Sequence, residues 1–253
     1  MFVGVSCTVN GNIKAASTST TYSVARFTSA NAFIDNVHTV NAANPEVTML
    51  AYAKVNAAQS DGTKEVLFGI ADDTSANEQL RCIIEHNADN TFYFKIGYAN
   101  TSFIETDGTT NYDVGTWYRI ALVQGADDDR RLYVDKVLEV TDSTSRAIPT
   151  MDSFAIGGAP DSTPSKVTNT SISDGQLLSA AATAADITYD YDNPTQLMYN
   201  RAGTSLVSGD QVLYWPCDDA SGTTLDDNTA NANDGTADGT IVWDETTTRP
   251  LRT

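Results

Sequence analysis

Between Gly115 and Val140 three β-branched and aromatic runs are separated by turn chemistry, and no other stretch leaves this chain fewer ways to fold. From Thr116 to Val123 the side chains split by parity, with Trp117, Ala121 and Val123 on one face and Tyr118, Ile120 and Leu122 on the other. A strand that is apolar on both faces must be covered on both, which predicts a central strand of a two-sheet packing. An acidic loop follows at Asp127–Asp129. Leu132-Tyr133-Val134 and Val137-Leu138 then flank Asp135-Lys136, the spacing of a two-residue hairpin. Lys136 is unusual there, because the second turn position needs a positive φ that glycine adopts most easily.

The same period-2 alternation recurs along most of the chain. Val3, Val5, Cys7 and Val9 read as an opening strand closed by Asn10-Gly11, and Ala15–Thr21 as a Ser/Thr-rich link. Arg26-Phe27 and Phe33-Ile34 begin the sandwich proper. Strands are then expected at Val47–Val55, Lys64–Ile70, Gln79–His86, Thr91–Tyr98, Phe103–Thr106, Phe154–Gly158 and within Lys166–Gln176. Asn87-Ala88-Asp89-Asn90 has the composition of a hairpin loop. Phe92, Phe94, Ile96 and Tyr98 share one face and read as core rather than as a sugar platform. The alanine-rich Leu178–Tyr189 is the single helix candidate. The fold class is therefore mainly β, a two-sheet antiparallel β-sandwich of jelly-roll type with at most one short helix. The expected organisation is an N-terminal strand and link over 1–22, the sandwich over 23–205, and a C-terminal strand segment over 206–253 packing on the same domain.

Thirty-three acidic residues against fifteen basic ones give a formal charge of -18. Such a chain repels phosphate, so neither nucleic acid nor an anionic membrane is an expected partner. The excess of Asp suits a turn-rich β protein, and its default role is solubility. Cys7, Cys82 and Cys217 are odd in number and widely spaced, which predicts neither a disulfide framework nor a zinc site. Cys82 alternates with Leu80 and Ile84 as a buried free thiol would. No basic region or long apolar run opens the chain, so an extracellular location would be reached without a classical signal peptide, for example by lysis as part of a virus particle.

The Gly115–Val140 stretch resembles the signature of laminin G-like domains in the concanavalin A-like lectin and glucanase superfamily. Gly115, Trp117, Leu132, Tyr133, Val134, Asp135 and Val137 match its Gly-x-Trp entry and Leu-Tyr-Val-Asp-Gly-Val hairpin, with Lys136 in place of the usual Gly. The family's common His after the Trp is Tyr118 or Arg119 here. Val47–Val55, Phe154-Ala155-Ile156-Gly157-Gly158 and Ala184-Ala185-Asp186-Ile187 follow in family order, so the resemblance covers Ser23 to Tyr199. Leu213–Thr224, Asn231–Thr236 and Trp243 resemble the opening of bacterial members, yet here they close the chain. They are expected to return and pair beside the first strands.

The resemblance directs the search for a site. Laminarinase-type members carry Glu-x-Asp-x-x-Glu on one strand, which does not occur here, and the carboxylate pairs at Asp127–Asp129 and Asp226-Asp227 fall in loops. There is no Gly-x-Ser-x-Gly elbow, and His38 and His86 are the two histidines, so the chain is expected not to be an enzyme. Asp234, Thr236, Asp238, Gly239 and Glu245 fall in the register of a calcium loop, with Thr where a carboxylate is usual and no flanking helices. Asp234, Asp238 and Glu245 are thus the candidate metal ligands; no cofactor is expected, and calcium is the one candidate. Tyr112 with Asp113 and Asn111, or Tyr189 and Tyr191 with Asp190 and Asp192, have the aromatic and polar chemistry of a lectin rim.

These features and the resemblance together imply a non-catalytic virion protein, a bacteriophage capsid decoration or tail-surface protein located on the virion or outside the cell. Its expected partners are capsid or tail proteins, bound through Met1–Thr21 or Arg249-Pro250-Leu251-Arg252, host glycans, and other copies of itself in a closed homo-oligomer. The alternative is a carbohydrate-binding, lectin-like module of a bacterial surface or secreted assembly.

Overall fold

A computed structural model of the chain describes residues 22–27, 33–40, 46–72, 78–100, 103–146, 151–158, 167, 169–219, 221–239 and 241–246. The strands in chain order are β1 (Tyr22–Phe27), β2 (Phe33–Val40), β3 (Val47–Val55), β4 (Lys64–Ala71), β5 (Glu78–His86), β6 (Thr91–Asn100), β7 (Phe103–Asp107), β8 (Tyr112–Asp113) and β9 (Tyr118–Ala126). They continue as β10 (Asp129–Val134), β11 (Val137–Asp142), β12 (Met151–Ile156), β13 (Thr170–Leu178), β14 (Gln211–Trp215), β15 (Thr224–Leu225), β16 (Gly235–Asp238) and β17 (Ile241–Thr246). One helix, α1 (Ala184–Asp192), lies between β13 and β14. The opening strand expected at Val3–Val9, the link at Ala15–Thr21 and the basic tail at Arg249–Arg252 lie outside the described residues.

Every pairing is antiparallel, and two sheets result. The first runs β11-β10-β9-β3-β13-β1-β17, with β14 also on β13, and the second runs β15-β16-β2-β12-β4-β5-β6-β7, with β8 also on β6. The C-terminal strands return to the first ones: β17 pairs along all of β1, and β16 pairs with β2. Period-2 alternation places Phe68, Ile70, Cys82, Ile84, Phe94 and Ile96 of the second sheet against Met49, Ile120, Leu122, Leu132 and Leu213 of the first, all buried in one core. Trp215 is wholly buried there, its ring 5.4 Å from Phe154 and its indole N–H donating to Asn233 O at 2.8 Å. Each such side chain removed from water contributes roughly 1.5–3 kcal/mol. The aromatic row of β6 is core, as its alternation predicts, and Cys82 is a buried free thiol pushed well up by desolvation.

The hairpin closing β10 and β11 has Asp135 and Lys136 at φ 46° and 65°, a type I′ arrangement in which Lys136 takes the position glycine usually holds. Burial of β9 on both faces is also as expected. Ile120 and Leu122 face the inter-sheet core, while Ala121 and Val123 pack outward against a second cluster with Leu50, Tyr133, Leu178, Ile187, Met198 and Leu206.

That second cluster corrects the expected helix. Leu178 ends β13, and α1 starts six residues later than its alanine content suggests. The start is fixed by a capping box: Thr183 Oγ1 accepts from Asp186 N, and the Asp186 carboxylate accepts from Thr183 N at 2.9 Å. Helix propensity spread over Ala180–Ala185 gives no start, whereas the cap satisfies backbone donors that the first turn otherwise strands. The helix buries Ile187 against the outer side of the first sheet, and Asp190 beside it receives Arg119. One outer face of the sandwich is thereby covered.

Candidate functional site

The other outer face, on β4, β5, β6 and β7, carries a groove of about 210 Å³. Cross-strand register builds it in rows. Lys64 stands opposite Glu85 and then Tyr93; Val66 opposite Ile83, Lys95 and Asp107; Gly69 opposite Arg81, Gly97 and Glu105. Val66 and Ile83 form a small apolar floor of their own. A β-carbon on Gly69 would meet Arg81 Cβ at 2.9 Å, and one on Gly97 would meet Phe103 Cζ at 2.7 Å and Ile83 Cδ1 at 2.5 Å. The two glycines therefore let Arg81 and Phe103 lie down on the sheet, where the guanidinium carbon sits 4.3 Å from the ring centroid. Phe103 keeps 41% of its surface in solvent.

Lys95 is the electrostatic centre of this face. Its ammonium lies 2.7 Å from Glu85 Oε2, 2.7 Å from Glu105 Oε2 and 2.9 Å from Asp107 Oδ1. Lys64 adds a second bridge, 2.6 Å to Glu105 and 3.6 Å to Glu85. Desolvation alone would raise both glutamates, but hydrogen bonds and ion pairs with Lys95 and Lys64 outweigh it and hold the two carboxyls below their ordinary range. Desolvation likewise works against the Lys95 ammonium, and its three carboxylates reverse that and raise it. Burial together with a hydrogen bond to Glu85 pushes Tyr93 up to about 12. The groove thus offers fixed acceptors, fixed donors, an apolar floor and one exposed ring.

The residues singled out from the sequence lie elsewhere. Tyr112 on β8 packs with Phe92, Phe94 and Tyr118, centroids 6.1, 5.1 and 5.0 Å away, and its hydroxyl donates to Glu139 Oε2 at 3.2 Å. Asp113 beside it is exposed. On α1, Tyr191 lies under the Lys136 ammonium at 5.0 Å, Asp192 pairs with the same lysine, and Asp190 is buried on Arg119; Tyr189 is half-buried. Asp234 is exposed and accepts from Asp227 N at 2.9 Å. The backbone of Asp238 ends β16 in the second sheet and Glu245 lies in β17 of the first, while both side chains are outside the described residues. The register read as a calcium loop is therefore occupied by two strands rather than by a loop between helices. Among the described residues no cluster of three or more His, Cys, Asp or Glu side chains suited to a metal ion occurs. His86 is buried at the end of β5 between Glu65 and the backbone of Gln59.

Sequence reasoning missed the groove itself. Glu105 and Asp107 are carboxylates at alternate positions of one strand, which the search for Glu-x-Asp-x-x-Glu passed over. Glu85 and Glu105 converge on Lys95 from the strands on either side of it, each Oε2 2.7 Å from the ammonium.

A laminin G family model, described as concanavalin A-like lectin/glucanases superfamily, matches residues 28–188. No curated protein matches the sequence. Among solved structures, a putative carbohydrate binding protein from Bacteroides ovatus is similar with TM-score 0.61 and 14% identity over 88% of this chain and 59% of that one. A heptameric SAP-like pentraxin from Limulus polyphemus is similar with TM-score 0.53 and 13% identity over 67% and 81%. Trypanosoma rangeli sialidase with sialic acid gives TM-score 0.46 and 16% identity over 60% of this chain and 24% of the sialidase. This chain thus spans less than two thirds of the Bacteroides chain and about a quarter of the sialidase. The expectation that the chain is not an enzyme is corrected by the family match: its description covers lectins and glucanases together, and the absence of one motif does not separate the two. With 28–188 matched, more than half of its length and all four strands of the groove included, the chain belongs to the concanavalin A-like lectin/glucanases superfamily, in its laminin G branch.

Proposed function

We propose that the open face of β4–β7 binds a glycan. The observation that carries this is the combination of an apolar floor with a locked set of donors and acceptors on a face that none of the described segments covers. A sugar ring presents C–H groups on one side and hydroxyls around its rim. Phe103, Val66 and Ile83 suit the first; Lys64, Arg81, Glu85 and Glu105 suit the second. Because the carboxylates and ammonium groups already hold one another, few rotamers remain to be frozen on binding. The family's lectin members and the carbohydrate-binding description of the Bacteroides protein support the reading.

The test is a glycan array followed by calorimetry on the best hits, with Phe103→Ala and Arg81→Ala as variants. Binding should weaken at least roughly tenfold in each, about 1.4 kcal/mol, while thermal unfolding of Phe103→Ala stays close to that of the parent because the ring lies on the outer face and takes no part in the inter-sheet core. An empty array, or hits indifferent to both substitutions, would sink the proposal. The finer reading, a phage particle as the assembly that carries this module, is supported by the sequence resemblance and the acidic composition; co-purification with particles is its test.

A further inference from the structure

We propose a second binding groove, for a neutral saccharide, built by the C-terminal segment and independent of the β4–β7 face. It measures about 410 Å³ and lies between the Leu197–Tyr199 turn, the Ser208–Gly209 turn, β14 and the Asn228–Asn231 loop. That volume is within the range of small-ligand clefts. In a chain with 33 acidic residues, none of the described residues lining this groove is charged. Tyr199 and Tyr214 supply aromatic surface, Ser208 a hydroxyl, Asn228 an amide and Asn231 its amide oxygen. Such a lining gives a carboxylate, phosphate or amine nothing to pair with, whereas ring C–H groups meet the tyrosines and sugar hydroxyls meet the amides.

The groove is also held in shape before any ligand arrives. The Asp227 carboxylate accepts from Tyr214 N at 2.9 Å, Thr229 N at 3.0 Å, Thr229 Oγ1 at 2.7 Å and Asn233 N at 2.9 Å, which ties the loop to β14. Asn231 donates to Gln211 O and Val212 O at 3.0 and 2.8 Å. The Tyr214 hydroxyl donates to Asp174 Oδ1 at 2.7 Å and so fixes its ring. A prearranged wall spares the ligand the ordering cost that a mobile loop imposes. All of these groove residues fall outside the 28–188 family match.

The experiment is an amide NMR titration of the full chain with four neutral tetrasaccharides, cellotetraose, laminaritetraose, maltotetraose and mannotetraose, at millimolar concentration. At least one should shift the amides of residues 197–199, 208–211 and 228–231. Ala230→Trp, an exposed lining position, should abolish those shifts without altering thermal unfolding, and Tyr199→Ala should weaken binding by roughly tenfold. Phe103→Ala should leave the shifts unchanged, so failure here and failure of the sheet-face reading are told apart. Sialyllactose should bind these amides no more tightly than lactose. Silence at these amides for all four sugars, shifts that survive Ala230→Trp, or a preference for sialyllactose would each overturn the proposal.

Discussion

On the outside of the β3–β9–β10–β13 sheet, Arg119 is 2% exposed over the Tyr52 ring at 4.6 Å, and it is closed in by a helix. Asp190 of α1 receives its Nε and Nη2 at 2.8 and 3.2 Å, and Asp174 O receives Nη1 at 3.1 Å. On the outside of β4–β7, Lys95 is 4% exposed, and its carboxylates come from β5 and β7, the strands on either side. Both cations are buried on an outer face, but the first is neutralised by a segment 71 residues away and the second by its neighbours. A charge that must borrow its partner holds a cover in place. A charge satisfied within the sheet needs none, and among the described residues no segment covers that face.

The comparison breaks most visibly at Asp190. Asp190→Ala leaves a buried guanidinium without its two-pronged partner, which should cost about 3–5 kcal/mol. That corresponds to a fall in Tm of roughly 10 °C for a chain of this size. Pairing it with Arg119→Met should recover most of the loss, since an apolar pair of similar volume avoids the stranded charge. Differential scanning calorimetry on the single and double variants decides the matter. A single variant within about 1 kcal/mol of the parent would mean that the ion pair does not hold the helix.

Lys95→Met is the corresponding change on the open face and should cost less, about 2 kcal/mol at neutral pH, because Lys64 still bridges Glu85 and Glu105 and solvent reaches all three carboxylates. Its signature is pH dependence. The folded-state pKa values of Glu85 and Glu105 are depressed, so the stability they contribute is present above their ordinary value of 4.5 and is lost as pH falls through the depressed ones. In the variant the clustered carboxylates repel one another and acid relieves them, which reverses the sign. The Tm gap between parent and variant should therefore narrow steadily from pH 6 to pH 3. Asp135 and Asp219, which burial raises, contribute oppositely but equally in both proteins and cancel in the difference. A gap that is constant over this window would detach Lys95 from the glutamates.

The same contrast explains what could be read in advance. Trp117–Val123 announces a doubly covered strand because parity is local, and Asp135-Lys136 announces its turn because two residues suffice. The β6 aromatics are legible for the same reason. The start of α1 was hidden behind alanines, although Thr183 and Asp186 spell its cap three residues apart. The groove is harder, because Gly69, Arg81, Gly97 and Glu105 become neighbours through register among four strands, and no local pattern sets register. One signal was available: Arg81 and Glu85, Tyr93 and Lys95, then Glu105 and Asp107 occupy the parity opposite the apolar residues in three successive strands. Charges that recur outward in balanced signs mark a face built for contact with polar matter, whereas Ala121 and Val123 at the outward parity mark one that will be covered.

The smallest effect is expected at Lys136, where cover and sheet meet. Its φ of 65° disfavours a side chain by roughly 1 kcal/mol relative to glycine. Against this, its ammonium pairs with Asp192 and sits 5.0 Å from the Tyr191 ring, tying the β10–β11 hairpin to the last turn of α1. Side chains 37% and 48% exposed make that tie worth no more than about 1 kcal/mol. Lys136→Gly removes strain and tie together and should leave stability within about 0.5 kcal/mol of the parent. Lys136→Ala keeps the strain and loses the tie, so it should fall below both, by about 1 kcal/mol. Urea unfolding of the three proteins separates the terms, glycine against alanine reading the turn and alanine against lysine reading the strap. If alanine matches lysine, the helix is held by Arg119 and its apolar contacts alone, and the covered face owes nothing to the residue that replaces the family's turn glycine.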